Sequence, residues 1–297
     1  MSVPLDLSPD TTTLDGPTWR ARAAVHRARV RRWTGPHRER RARGEAHPVL
    51  DFLFTYYSYR PSRLERWHPG PGLVLQDADE FLALPGYVRD ATGVRLDPAA
   101  LPPRYTATAR FVRDLLSATA SRAPRLSCFA LHEWAMVYRC DTPRHASVPL
   151  RLGAAGTDAV VESLPIRCSH YDAFRFFTPA ARPRNALQPT RATQVDNEQP
   201  GCLHAIMDLY KWAYKLAPAT PSELVADCFE LAVEVRELDM RASPYDLTAY
   251  GYSPVRVETP EGRAEFVRAQ ARFAERAVPL RERLLALCNT LLGEGES

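Results

Sequence analysis

Apolar and polar positions recur with helical spacing along several stretches of this chain, and one stretch reverses the usual proportions. From Gly201 to Leu216, His204, Asp208, Lys211 and Lys215 fall at i, i+4, i+7 and i+11. On a helix that places them within a strip about 60° wide. Every other position after Gly201 is apolar or aromatic: Leu203, Met207, Tyr210 and Tyr214 on one flank, Ala205 and Trp212 on the other, Ile206, Leu209 and Ala213 behind. A surface helix needs an apolar arc of little more than 100°. This pattern therefore predicts a mostly buried helix, opened by Pro200-Gly201 and closed by Pro218, whose ionisable strip faces a cleft or a polar network.

The same reading predicts helices over Tyr105–Ala120, Ser127–Arg139 and, from the start signal Thr220-Pro-Ser-Glu223, as far as Met240. A last helical stretch begins at Thr259-Pro260-Glu261, breaks near Pro279 and ends at Gly293. Val148–Leu152 and Asp158–Leu164, separated by Gly-Ala-Ala-Gly, read as a β-hairpin. Residues 178–200 carry no pattern, and a loop of that length inside a domain reads as a lid or binding loop. In Cys168-Ser-His-Tyr-Asp172, Ser169 and Asp172 are spaced as a helix-capping pair, which leaves His170 free to point elsewhere. The expected architecture is mainly α: residues 46–297 as a single helical domain with a small β-hairpin insertion, and residues 1–45 as a disordered tail and an arginine-rich arm.

Charge sharpens this picture. Between residues 20 and 43 there are ten arginines against one acid, Glu39, although the whole chain carries only +4. Arg27, Arg29, Arg31, Arg32, Arg40 and Arg41 on this arm suit DNA phosphates, with an arm folded against the protein's own acids as the alternative. Of 39 basic residues only Lys211 and Lys215 are lysine. Arginine keeps its proton in proteins, whereas a lysine can lose it and act as a base or Schiff-base nucleophile. His132, Glu133 and His170 are further ionisable groups in apolar helical context, and buried charge needs partners, so they are expected to line the pocket that His204, Asp208 and Lys211 face.

Other classes are excluded or left without support. No apolar run reaches the roughly 18 residues a membrane span needs, and Met1–Thr18 lacks a charged-then-apolar leader pattern, so a cytoplasmic protein without membrane contact is expected. Six scattered cysteines give neither a C-x-x-C pair nor zinc-ligand spacing, so no metal site is expected. With no Gly-rich phosphate loop, no nucleotide cofactor is expected either. Oligomeric state is left open.

Several stretches carry a resemblance: His47-Pro-Val-Leu-Asp-Phe-Leu-Phe-Thr-Tyr-Tyr-Ser-Tyr59, Leu131-His-Glu-Trp-Ala-Met-Val-Tyr138, Ile166-Arg-Cys-Ser-His170, Gln199-Pro-Gly-Cys-Leu-His204, Met207-Asp-Leu-Tyr-Lys-Trp-Ala-Tyr-Lys215 and Arg236-Glu-Leu-Asp-Met-Arg-Ala-Ser-Pro-Tyr-Asp246. From about His47 to Leu292 the chain resembles a bacterial family known as 3-methyladenine DNA glycosylase. The resemblance implies a base-excision repair hydrolase that cleaves the N-glycosidic bond of an alkylated base. Leu84-Pro85-Gly86-Tyr87-Val88 keeps three positions of the hairpin of helix-hairpin-helix glycosylases but lacks its second glycine. No Gly-Pro-Asp-like context follows, so no catalytic residue transfers from those enzymes. From the residues themselves, Asp208 suits a hydrolytic reaction and Lys211 a Schiff-base one. His204 would orient Asp208, and Tyr56, Tyr57, Trp67 or Trp212 would stack on the extruded base. A small-molecule enzyme using the same His, Asp and Lys, or a non-catalytic interaction protein, are the alternatives.

Overall fold

A computed structural model describes residues 12–140 and 147–294. In chain order the elements are β1 (Thr12–Leu14), α1 (Gly16–Ala42), α2 (Phe52–Thr55), α3 (Pro61–Leu64), β2 (Leu73–Leu75), β3 (Tyr87–Arg89) and β4 (Val94–Leu96). There follow α4 (Pro103–Ala120), α5 (Leu131–Ala135), α6 (Gly153–Ser163), α7 (Tyr171–Phe174), α8 (Gln194–Asn197), α9 (Leu203–Lys215), α10 (Ser222–Arg241) and α11 (Pro260–Leu292). The protein is mainly α with one small sheet, and no described helix is long and apolar enough to cross a membrane.

The centre is α9, which packs against α10 and α11, while α11 packs in turn against α4. α4 shows how this layering is encoded: Tyr105, Ala109, Val112, Leu116 and Thr119 recur at helical spacing and are all buried. α11 runs unbroken through Pro279. A proline in mid-helix removes one backbone hydrogen bond. Here Phe266, Ala274 and Ala277 before it and Leu284, Leu287 and Leu291 after it are buried along one continuous face, which holds both halves in line.

The sheet lies elsewhere than expected. Its strand order is β1-β2-β4-β3, with β1 parallel to β2 and the other pairs antiparallel. The expected hairpin over 148–164 is instead helix α6: Gly-Ala-Ala-Gly is the first helical turn, tied by the Thr157 hydroxyl donating to Gly153 O, and Val160 and Val161 turn into the core. α5 is likewise shorter than the Ser127–Arg139 helix expected, because Phe129, Ala130 and Arg139 all have positive φ (48–54°) and stop the helix on either side.

The N-terminal segment is the largest departure. Residues 1–11 of the expected tail lie outside the described residues. β1 joins the sheet, and α1 continues past Gly35-Pro36 as one helix laid on the body. Trp19 stacks on Trp67 with centroids 6.5 Å apart, Val30 is buried, and His26 Nε2 bonds Leu64 O at 2.8 Å. The arm is therefore part of the domain rather than an appendage to it.

Candidate functional site

Close packing holds α9 in place. Gln270 donates to Gly201 O at 2.6 Å, and Gln199 Oε1 accepts from both Arg125 N and Gly201 N at 2.8 Å. Gly201 is required there, since a Cβ would sit 2.8 Å from Arg125 O. At the other end the Thr220 hydroxyl donates to Ala213 O at 2.7 Å. Every residue from Leu203 to Ala213 is buried, the ionisable ones included.

Asp208 is the hub of the first cluster. Its Oδ1 accepts from the Tyr57 hydroxyl at 3.0 Å, and its Oδ2 from Lys211 Nζ at 2.8 Å and from His170 Nε2 at 3.3 Å. Burial alone would raise its pKa, but Lys211 and His170 outweigh that and hold it well below the ordinary carboxylate range. Burial alone would lower Lys211; Asp208 and Asp172, the latter accepting at 2.7 Å, outweigh it and raise the lysine above its ordinary value. The lysine is thus a fixed countercharge.

A second cluster mirrors the first across α9 and α10. His132 Nε2 lies 2.8 Å from Asp239 Oδ1, and Arg236 Nη1 donates to Asp239 Oδ2 at 2.9 Å and to Glu133 Oε1 at 2.6 Å. Between the clusters sits His204, its ring 4.4 Å from that of His132 and 5.2 Å from that of His170. His132 and His170 are pulled down by burial but pushed up more by their carboxylates. His204 is driven well below its usual value by burial and by those two neighbours. It is a neutral imidazole, with no hydrogen bond to any described residue.

Above His204 opens a cleft. It is lined by the polar side chains Glu133, Asp172, His204 and Arg236 and by Phe52, Tyr56, Phe176, Tyr245 and Met136. Phe52 and Tyr56 stack at 5.0 Å, and the Arg236 guanidinium lies 3.8 Å over the Phe52 ring. Free space is about 20 Å³, room for a water molecule.

The fold thus gathers His132, Glu133, His170, His204, Asp208 and Lys211 into one region, with the division of labour changed from that expected. Asp208 and Lys211 do not line the cleft. His204 does not orient Asp208; Tyr57, His170 and Lys211 do. His170 is not free: its Nδ1 accepts from Ala173 N at 3.3 Å as the N-cap of α7, and Asp172, the expected cap partner, instead reaches Lys211. Lys215 is exposed at the end of α9.

Of the four expected stacking residues, Tyr56 alone lines the cleft. Tyr57 is buried on Asp208, Trp67 donates to Glu223 at 2.7 Å beneath α1, and Trp212 packs on Phe111 at 5.5 Å. Segment 178–200 is pinned: Asn185 exchanges hydrogen bonds with Cys168 at 2.7 and 2.9 Å, and Arg122 donates to Val195 O and Glu198 O at 2.8 Å.

The arginine arm is largely matched with the protein's own acids. Arg29 pairs with Asp227 and Glu230, Arg32 with Glu230, Arg38 and Arg31 with Glu65, and Arg40 with Asp51. Arg27 and Arg41 are exposed, with no carboxylate partner among the described residues.

Asp172, Glu198, Arg236, Asp239, Phe52, Phe176 and Tyr245 complete the site; the sequence marked Asp172 only as a helix cap and none of them as a site residue. The signal was faint: Arg236 and Asp239 stand at i, i+3, as Asp208 and Lys211 do, but on a helix that carries other charges as well. Nor does sequence spacing reveal that two sets of metal-competent donors converge, His132/His204/Asp239 and His170/Glu198/Asp208, each with donor atoms within 4.8 Å of one another. Each set comes from three separate elements or loops. No family model, no curated protein and no solved structure matches this chain.

Proposed function

We propose that the cleft beside α9 is the active site of a hydrolase that cleaves the N-glycosidic bond of a cationic, alkylated base. One observation carries this reading: four aromatic side chains and two carboxylates, the latter beside His204 and Arg236, line one cleft. Aromatic faces attract a positively charged ring, and carboxylates stabilise the cationic sugar that forms as the bond breaks. Asp172 and Glu133 take that electrostatic role, and Asp172, more open to solvent, activates the water the cleft can hold. Lys211 and Arg236 fix the two carboxylates in place. A base is far larger than the free space, so entry requires Tyr56 and Phe176, both half-buried, to swing outward.

A Schiff-base route is disfavoured, since it needs a neutral lysine and Lys211 keeps its proton more firmly than usual. A second reading, a hydrolase of free nucleosides, draws support from the arginines of α1, most of which pair with the protein's own acids. The test incubates the full chain with methylated duplex DNA and, separately, with methylated purine nucleosides, following released base by chromatography and adding borohydride in parallel. Base release from DNA without a trapped adduct is expected. Release from nucleosides alone selects the second reading; a borohydride adduct, or no release from either, contradicts both.

A further inference from the structure

We propose that His132, His204 and Asp239 bind one divalent first-row transition-metal ion beneath the cleft. The three residues come from α5, α9 and α10, and their donor atoms lie within 4.8 Å of one another. Two imidazoles and one carboxylate on one side of an ion, with the other side open, is the donor set of non-haem iron and of many catalytic zinc sites.

Three observations raise this above a chance cluster. His204 is only 6% exposed, yet its ring has no hydrogen bond to any described residue. Because the residue lines the cleft, that ring is open to an ion or a water as its partner. The supporting contacts are already in place: Arg236 holds Asp239 by Oδ2 at 2.9 Å, and His132 Nδ1, which faces Cys128 Sγ at 3.5 Å, is able to take the ring proton when an ion replaces the Nε2–H···Oδ1 bond between His132 and Asp239. The cleft that His204 lines supplies the open side, with space for one coordinated water.

The other set fails on its own geometry. His170 Nδ1 accepts the Ala173 N–H, so Nε2 carries the ring proton and has no lone pair to give. Lys211 Nζ also stands 2.8 Å from Asp208 Oδ2. Arg236 faces the first set as a cation too, but Glu133 at 2.6 Å offsets it. Bonds of about 2.1 Å in tetrahedral geometry place donors about 3.4 Å apart. His132 and Asp239, now 2.8 Å apart, would therefore separate slightly as His204 closes in, a movement within side-chain reach.

This inference does not depend on the glycosidic reading, and its test reads binding rather than turnover. The full chain is stripped with chelator and titrated with Co²⁺, following d–d absorption, and with Zn²⁺ against a chromophoric chelator; circular dichroism checks each variant. One ion per chain is expected. His204→Gln should weaken binding by on the order of a hundredfold or more, while His170→Gln changes it only a few-fold. If His204→Gln does not fold, Asp239→Glu, which keeps the charge and displaces the carboxylate, takes its place with the same expectation. Absence of stoichiometric binding, affinity unchanged in the ligand variant, or loss confined to His170→Gln would each overturn the assignment.

Discussion

Side chains in this protein change meaning with what they touch. Lys211 stands out in the sequence because lysine is so rare there, but whether it is a nucleophile or a countercharge depends on Asp172, 39 positions away. The structure gives two carboxylates to one ammonium, and removing one partner of a buried pair costs about 3–5 kcal/mol, so its rarity marks a structural tie. His68 offers a cleaner case for measurement. It is buried beneath the sheet with Nδ1 3.3 Å from the Tyr87 hydroxyl, and burial, with Arg66 and His26 nearby, lowers its pKa to about 3. In the unfolded chain it titrates near 6.5. Stability from neutral His68 is thus fully present above about pH 6.5 and falls as pH drops, by about 1.4 kcal/mol per unit. Urea midpoints of wild type and His68→Asn should show a wild-type advantage that narrows between pH 6.5 and 4.5. His26, His47 and His204 are lowered as well, so both proteins weaken in acid and the difference between them is the quantity to read. A margin constant with pH would contradict the burial argument.

Among the elements, the buried face of α9 was legible and that of α1 was not, although Trp19–Trp33 reads as helix-compatible, and the two cases share a reason. The inward stripe of α9 is built of Ile206, Leu209, Tyr210 and Ala213, which any apolar-periodicity reading finds. The stripe of α1 runs through Trp19, His26, Val30, Thr34 and His37, and three of its five members are polar. Thr34 donates to Glu65 and His37 bonds Asp51 at 2.9 Å. Satisfied polar groups can occupy a buried face, but nothing in the sequence announces their partners. Removing residues 1–45 would therefore strip Trp19 and Val30 from the core, so binding by this helix is better probed with point changes. Arg27→Gln with Arg41→Gln should lower the log–log salt slope of DNA binding by about 2. Arg29→Gln with Arg40→Gln should act mainly on stability, since those side chains are held by Asp227, Glu230 and Asp51. An unchanged slope in the first pair would remove α1 from any DNA interface.

Across the whole molecule, the helical character and the burial of His204, Asp208 and Lys211 on one helix could be read from periodicity. The lining of the cleft could not. Asp172, Glu133 and Arg236 meet only because α5, α7 and α10 converge on α9, and the aromatic lining joins Phe52 to Tyr245, 193 positions apart in the chain. Long-range convergence of this kind leaves no local pattern. On the proposed reading the chemistry falls to Asp172 and Glu133, which line the cleft, rather than to Asp208, which is sealed behind Tyr57 and Lys211. The most direct test is the single-turnover rate of base release by Asp172→Asn and Glu133→Gln beside wild type, with Lys215→Arg as a control at the exposed end of α9. The account predicts that Asp172→Asn slows release by on the order of a hundredfold or more with the fold intact, that Glu133→Gln slows it too, and that the control matches wild type. Wild-type rates in both carboxylate variants would contradict it.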